Sequence, residues 1–148
     1  MLYKQYRFKF YLNAYHSIFL NGTKGERHPH TWEIIISVLK VRDEFVEFHV
    51  LESEVDKLLS KYEDQIINDI PPFDTVNPTL ENLTYHLKDL ILEKISNLGW
   101  RLLKLEVSET PARAFVIDLN QIDDKEILKQ EADYLLKRMM ENRGDTHE

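Results

Sequence analysis

The chain has 148 residues, 43% of them hydrophobic and 30% charged, with no cysteine and a formal net charge of -7. That length suits one domain with a sizeable core, and the lack of cysteine excludes disulfides, thiolate metal sites and a cysteine nucleophile or base. The acidic balance opposes nonspecific nucleic-acid binding, no apolar run approaches the roughly 18 residues of a membrane span, and the alternating start MLYKQYRFKF does not read as a secretory signal. A cytoplasmic protein is expected, with neither membrane nor nucleic acid as partner.

Residues 2–16 read as a strand, with Leu2, Tyr6, Phe8, Phe10, Leu12, Ala14 and His16 on one face and Arg7, Lys9 and Asn13 on the other. Asn21-Gly22 and Lys24-Gly25 mark a loop. A second strand starts near His28 and carries His28, His30, Trp32, Ile34, Ile36 and Val38 on one face. A turn at Arg42-Asp43 leads to an expected short strand from Glu44 to Phe48. Leu51, Val55, Leu58, Leu59 and Tyr62 then recur at helical spacing. Residues 63–76 are an irregular connection. Asn77-Pro78-Thr79 opens a second helix, with Asn77 expected as the capping side chain and Pro78 where no amide donor is needed. Leu80, Leu83, Leu87 and Ile91 form its apolar stripe, and Gly99 closes it. Residues 101–109 and 113–119 return to strand. Asp123 to Met140 reads as a last helix through Leu128, Ala132, Leu135 and Met139, followed by a frayed ENRGDTHE tail. This order gives an α+β fold with helices covering one face of an antiparallel sheet. A first unit over residues 1–120 and a helical extension over 121–148 are expected.

His28-Pro29-His30 is the sharpest chemical feature. Residues i and i+2 of a strand project to the same side, so both imidazoles point together. His16 ends the neighbouring strand on its own apolar face, so adjacent strands can bring three imidazoles to one point. Three neutral nitrogens with an open fourth position describe a catalytic zinc site rather than a structural one. The bland alternative is an H-x-H without a metal, a common pattern. Glu109 extends the apolar face of Leu103, Leu105 and Val107. It either stands in solvent, pairs with a lysine, or receives the adjacent N–H groups of a ligand such as a pterin or guanine.

Taken in order, these motifs resemble the 6-pyruvoyl tetrahydropterin synthase family, which includes 6-carboxytetrahydropterin synthase, from about residue 5 to residue 118. Leu12-Asn13-Ala14-Tyr15-His16 is similar to the family's F-x-A-x-H strand, and His28-Pro29-His30-Thr31-Trp32 to its H-G-H-x-Y strand. Glu47-Phe48 stands for a D-F pair, Pro78-Thr79-Leu80-Glu81-Asn82 matches P-T-x-E-N in full, and Glu109-Thr110 matches a closing E-T. The resemblance implies a T-fold, a four-stranded antiparallel sheet with two helices on one face, to which this chain adds a C-terminal helix. It implies zinc on His16, His28 and His30, a pterin held by Glu109, Thr110 and Thr79, carbon–oxygen lyase chemistry on dihydroneopterin triphosphate or a related pterin, and a homo-oligomer, typically a hexamer of two trimers.

Two departures bear on catalysis. Lys24 stands where relatives carry a cysteine, and Asp64, in Glu63-Asp64-Gln65-Ile66-Ile67-Asn68, stands where a D-H-x-x-L-N pattern carries histidine. A lysine protonated at neutral pH and a weakly basic aspartate are poor proton relays. Pro29 replaces the glycine between the histidines and removes an amide donor. Glu26 lies in the metal loop, where some relatives use a glutamate instead of the cysteine, so Glu26 and Asp64 are the candidate catalytic residues. Glu26 is otherwise a solvated loop residue, and a catalytically divergent or inactive protein that binds zinc and a pterin- or purine-like ligand is the competing reading. His49 and His86 are either further proton carriers or ordinary surface or core histidines.

Overall fold

A computed structural model of the chain describes residues 4–41, 47–119 and 124–145. Contacts divide it into two compact units, Met1–Asp118 and Leu119–Glu148. The first holds β1 (Tyr6–His16), β2 (Phe19–Leu20), β3 (Thr23–Lys24), β4 (His28–Lys40), α1 (Phe48–Ser60), α2 (Leu80–Asn97), β5 (Trp100–Thr110) and β6 (Arg113–Asp118). The second holds α3 (Asp124–Asp145).

The main sheet is antiparallel with strand order β1-β4-β5-β6. Period-two alternation decides which side is covered. Leu12 opposes Trp32, and Phe10 opposes Ile34, which opposes Val107. All five are buried, and α2 packs on β5 while α1 packs on α2 and β1. Burying each of these large side chains contributes about 2 kcal/mol. The opposite face carries Lys9, Tyr11, Asn13, Thr31, Glu33, Glu106 and Ser108, none of them buried. Its Lys9–Glu33 ion pair, at 3.8 Å, is partly exposed and contributes little.

The ladder slips twice. Between Ser37 and Val38 the β4–β5 register shifts by one residue, and β5 buries both Leu102 and Leu103 there. Between Ser108 and Thr110 the β5–β6 register shifts again, leaving Glu109 as the extra residue of the bulge. Bulges re-aim side chains, and this one sits where β5 leaves the core.

Four expectations change. The strand expected over Glu44 to Phe48 falls mostly outside the described residues, and Phe48 already belongs to α1. The loop after His16 contains a hairpin, Phe19–Leu20 on Thr23–Lys24, because Asn21 and Gly22 supply the positive φ values, 52° and 79°, of a tight two-residue turn. The N-cap of α2 is Thr79, not Asn77: its hydroxyl accepts from the Asn82 amide at 3.2 Å, and Asn77 lies two residues too early. The last helix continues through Glu141 to Asp145, five residues of the tail expected to fray. Among the described residues no helix is long and apolar enough to cross a membrane.

Candidate metal centre and carboxylate pocket

The covered face of the sheet ends in polar residues. His16 directly opposes His28, and Ala14 opposes His30, one rung before the buried Leu12–Trp32 pair. Ala14 is small enough to leave room for imidazoles on either side. The ligand-capable nitrogens of His16, His28 and His30 all lie within 4.8 Å of one another. Their rings meet edge-on, with centroids 4.5, 5.0 and 4.7 Å apart, and Trp32 closes the floor at 5.0 Å from His16 and 5.1 Å from His30.

Hydrogen bonds fix the tautomers of two rings. His16 Nδ1 lies 2.8 Å from the Pro78 carbonyl and His28 Nδ1 lies 3.0 Å from the Glu26 carbonyl. A carbonyl only accepts, so each Nδ1 carries the proton and each Nε2 presents a lone pair. Those Nε2 atoms face each other at 2.9 Å. Two lone pairs at that distance repel unless a cation lies between them. A zinc ion with Zn–N bonds of about 2.05 Å in tetrahedral geometry sets its ligand atoms about 3.3 Å apart, so a small opening of this pair accepts one. The donor set fits zinc.

Electrostatics agree. Burial, followed by the weaker repulsion of His28 and His30, lowers the His16 pKa from 6.5 to about 4, against an opposing hydrogen bond to Pro78. Burial also lowers the His30 pKa, with Glu109 pulling the other way. Neutral imidazoles are the form that binds metal.

The backbone around His16 is held by two asparagines that sequence reasoning did not single out. Asn68, buried, accepts from the Ser17 amide and donates to the Ser17 carbonyl, both at 2.8 Å. Asn77 does the same for Phe19, both at 2.9 Å, and its own carbonyl accepts from Asn82 Nδ2 at 2.9 Å. Each amide acts as one rung of a strand. The segment Asn77-Pro78-Thr79 thus clamps the loop after His16, fixes the His16 tautomer and caps α2. An asparagine beside a proline was the visible signal, but it reads equally well as a cap.

The remaining candidates separate. Glu109 and Thr110 line a cavity of about 460 Å³ with Tyr11, Thr31, Glu33, Ser108 and Pro111, on the uncovered side of the sheet. No histidine of the triad lines it. Glu109 Oε1 is nevertheless buried without a hydrogen-bond partner. The Thr110 hydroxyl accepts from the Ala112 amide at 3.3 Å within the hairpin turn. Thr79 is occupied as a cap. Glu26 enters the metal centre through its carbonyl, and the residue itself is exposed. Asp64 is exposed, with φ of 58°. Its amide donates to the Asn13 carbonyl at 2.7 Å, in a segment that runs along the free edge of β1, where Glu63 also holds Asn13. Lys24 is exposed on β3. His49 is exposed on α1. His86 is hydrogen-bonded to the Tyr62 hydroxyl at 3.1 Å and packs on Phe73, so it is a core contact outside the triad.

An antiparallel sheet with helices on one face and a three-histidine cluster at its end defines a T-fold protein with a candidate mononuclear metal centre. The sequence profile of the 6-pyruvoyl tetrahydropterin synthase family matches residues 5–120, and the chain belongs to that family. No curated protein sequence matches it. Among solved structures, the fold is similar to 6-pyruvoyl tetrahydropterin synthase from Caenorhabditis elegans, with 17% identity over 78% of this chain and 94% of the other and a TM-score of 0.66. It is also similar to the Plasmodium falciparum enzyme, with 18% identity, 76% and 96% coverage and a TM-score of 0.56. A Plasmodium vivax 6-pyruvoyltetrahydropterin synthase, described as a catalytic-residue mutant with glutamate replaced by alanine, matches with 13% identity, 77% and 97% coverage and a TM-score of 0.56.

Proposed function

We propose that the protein is a zinc-dependent lyase of the 6-pyruvoyl or 6-carboxytetrahydropterin synthase type, acting on dihydroneopterin triphosphate or a related pterin. The observation that carries this reading is the pair of Nε2 lone pairs of His16 and His28, turned toward each other at 2.9 Å by carbonyls behind both rings. His16, His28 and His30 would hold the zinc. When bound, zinc supplies Lewis-acid polarisation of the substrate's side-chain oxygens.

The chain's own residues take the other roles. Trp32 and Leu12 form an apolar floor that excludes water beneath the triad. Glu109 accepts from the N–H edge of the pterin, and Thr110 borders the same cavity. Thr79 helps hold the substrate end of the site by ordering the start of α2. Glu26 and Asp64 are the candidate bases, and the backbone carbonyl of Glu26 belongs to the His28 hydrogen bond. That a glutamate is described as catalytic in the Plasmodium vivax protein supports Glu26. A homo-oligomer, a hexamer of two trimers, is the assembly this reading implies.

The test is zinc content by elemental analysis, followed by assay of the zinc-loaded protein with dihydroneopterin triphosphate for released triphosphate and acetaldehyde. One zinc per chain with turnover in either channel is expected. Zinc without turnover, together with measurable neopterin binding, selects the second reading: a T-fold protein that keeps the pocket for binding alone. The exposed Lys24 and Asp64, at the positions where relatives keep cysteine and histidine, favour that alternative. Absence of stoichiometric zinc sinks both.

A further inference from the structure

Among the described residues, two buried side-chain polar atoms lack a hydrogen-bond partner: Trp32 Nε1 and Glu109 Oε1. One is a donor only and the other, in a carboxylate, an acceptor only. Each left alone disfavours the folded state. They also stand at facing ends of the β4–β5 ladder. The β4–β5 ladder registers Ile34 with Val107 and ends at Glu33 with Ser108; one residue further along each strand stand Trp32 and Glu109. Trp32 shares its face with Ile34, and alternation from Val107 sets Glu109 toward that face, while at the strand end the bulged Glu109 also borders the cavity of Tyr11, Thr31 and Ser108. Opposed residues have Cβ atoms about 5 Å apart, within reach of an indole and a glutamate. The bulge at Glu109 frees that residue from the β6 ladder, so its side chain can turn.

We propose that Trp32 is a positioning residue for Glu109: its indole N–H, unpaired in this structure, takes the inner carboxylate oxygen after a turn of the glutamate side chain or through one water, and leaves Oε2 as the single oxygen offered to a ligand. This rests on the pterin reading only for the identity of the ligand; the pairing itself does not. It makes Glu109 a one-oxygen acceptor rather than a two-oxygen clamp, so one ligand N–H is read strongly there. It also ties the carboxylate to the metal centre, since the same indole packs against the rings of His16 and His30. The indole carries its donor on the side of the ring.

Trp32→Phe removes the donor and keeps an aromatic floor, and Glu109→Gln and Glu109→Ala alter the acceptor. The two tryptophans, Trp32 and Trp100, give separable indole N–H signals in an amide-correlated NMR spectrum of the full chain. The Trp32 signal is expected to move in both Glu109 variants while the Trp100 signal stays in place. Trp32→Phe is expected to retain zinc and helical signal and to bind neopterin about tenfold more weakly, the size of one charge-assisted hydrogen bond. An unmoved Trp32 signal in Glu109→Ala overturns the pairing. A moved signal with parental neopterin affinity in Trp32→Phe overturns the positioning role. If the parent protein binds no neopterin, the pterin reading fails, and the NMR result still decides the pairing.

Discussion

The triad and the two positions that flank it in the family pattern are built on opposite terms. His16 is gripped by the Pro78 carbonyl behind its ring, by Asn68 one residue on and by Asn77 three residues on. Lys24 and Asp64 are exposed, and the Asp64 contact that fixes its place is made by its backbone amide. A ligand must be rigid to present a lone pair; a proton carrier must have the right basicity. On the proposed reading the triad has that rigidity while Lys24 and Asp64 are exposed, so zinc affinity and turnover need not travel together.

Substitutions can break that contrast at graded strength. The largest effect is expected from His16→Ala, which removes a ligand and should weaken zinc binding at least about a hundredfold, more than loss of an outer partner; competition against a calibrated chelator measures it. Next comes pH. The His16 pKa is about 4 in the folded protein and 6.5 in the unfolded chain, so at neutral pH the folded state is unprotonated and the unfolded state mostly so. As pH falls below 6.5 the unfolded chain takes up the proton first, and zinc-free protein loses roughly 3 kcal/mol by pH 4. Urea titrations across that range check the sign: stability that rises on acidification contradicts the buried neutral imidazole.

Asn68→Ala leaves the amide and carbonyl of Ser17 without partners and should cost about 2 kcal/mol, with zinc affinity down about tenfold. If zinc affinity is untouched, the asparagine clamps hold the loop but not the ligand. Thr79→Ala removes the α2 cap and should cost about 1 kcal/mol, read by thermal unfolding. Asp64→Asn, at the exposed position, should change stability by less than about 0.5 kcal/mol and leave zinc binding unchanged. A large loss of turnover in that variant alone would assign Asp64 to catalysis and reverse the contrast drawn above.

What was legible in the sequence follows from range. The alternation of Phe10, Leu12 and Ala14 against Ile34 and Ile36 is local, so the strands and their inner face could be read directly. The convergence of His16 with His28 and His30 needed only the assumption that the two strands are neighbours. The boundary of α2 was misjudged by two residues because Asn77 and Thr79 are both good caps, and only the Phe19 backbone, 58 positions away, decides which is free to cap. Asn68 is invisible for the same reason, its partner being 51 positions distant. The bulge at Glu109 depends on the β5–β6 pairing and has no composition of its own. Glu109 could therefore be named from its place beyond Val107, while its unpaired oxygen could not.

The antiparallel register of β1 on β4 has a consequence for assembly of the fold itself. His16–His28 is the terminal rung of an unbroken ladder that begins at Tyr6–Val38. Alternation makes register all-or-none: a slip by one residue turns every side chain of a strand to the other face. A mispaired chain would send His16 to solvent and could not gather three imidazoles. A metal ion captured at that rung would therefore act as a proofreader of strand pairing, rewarding the correctly zipped hairpin and none of its slipped competitors.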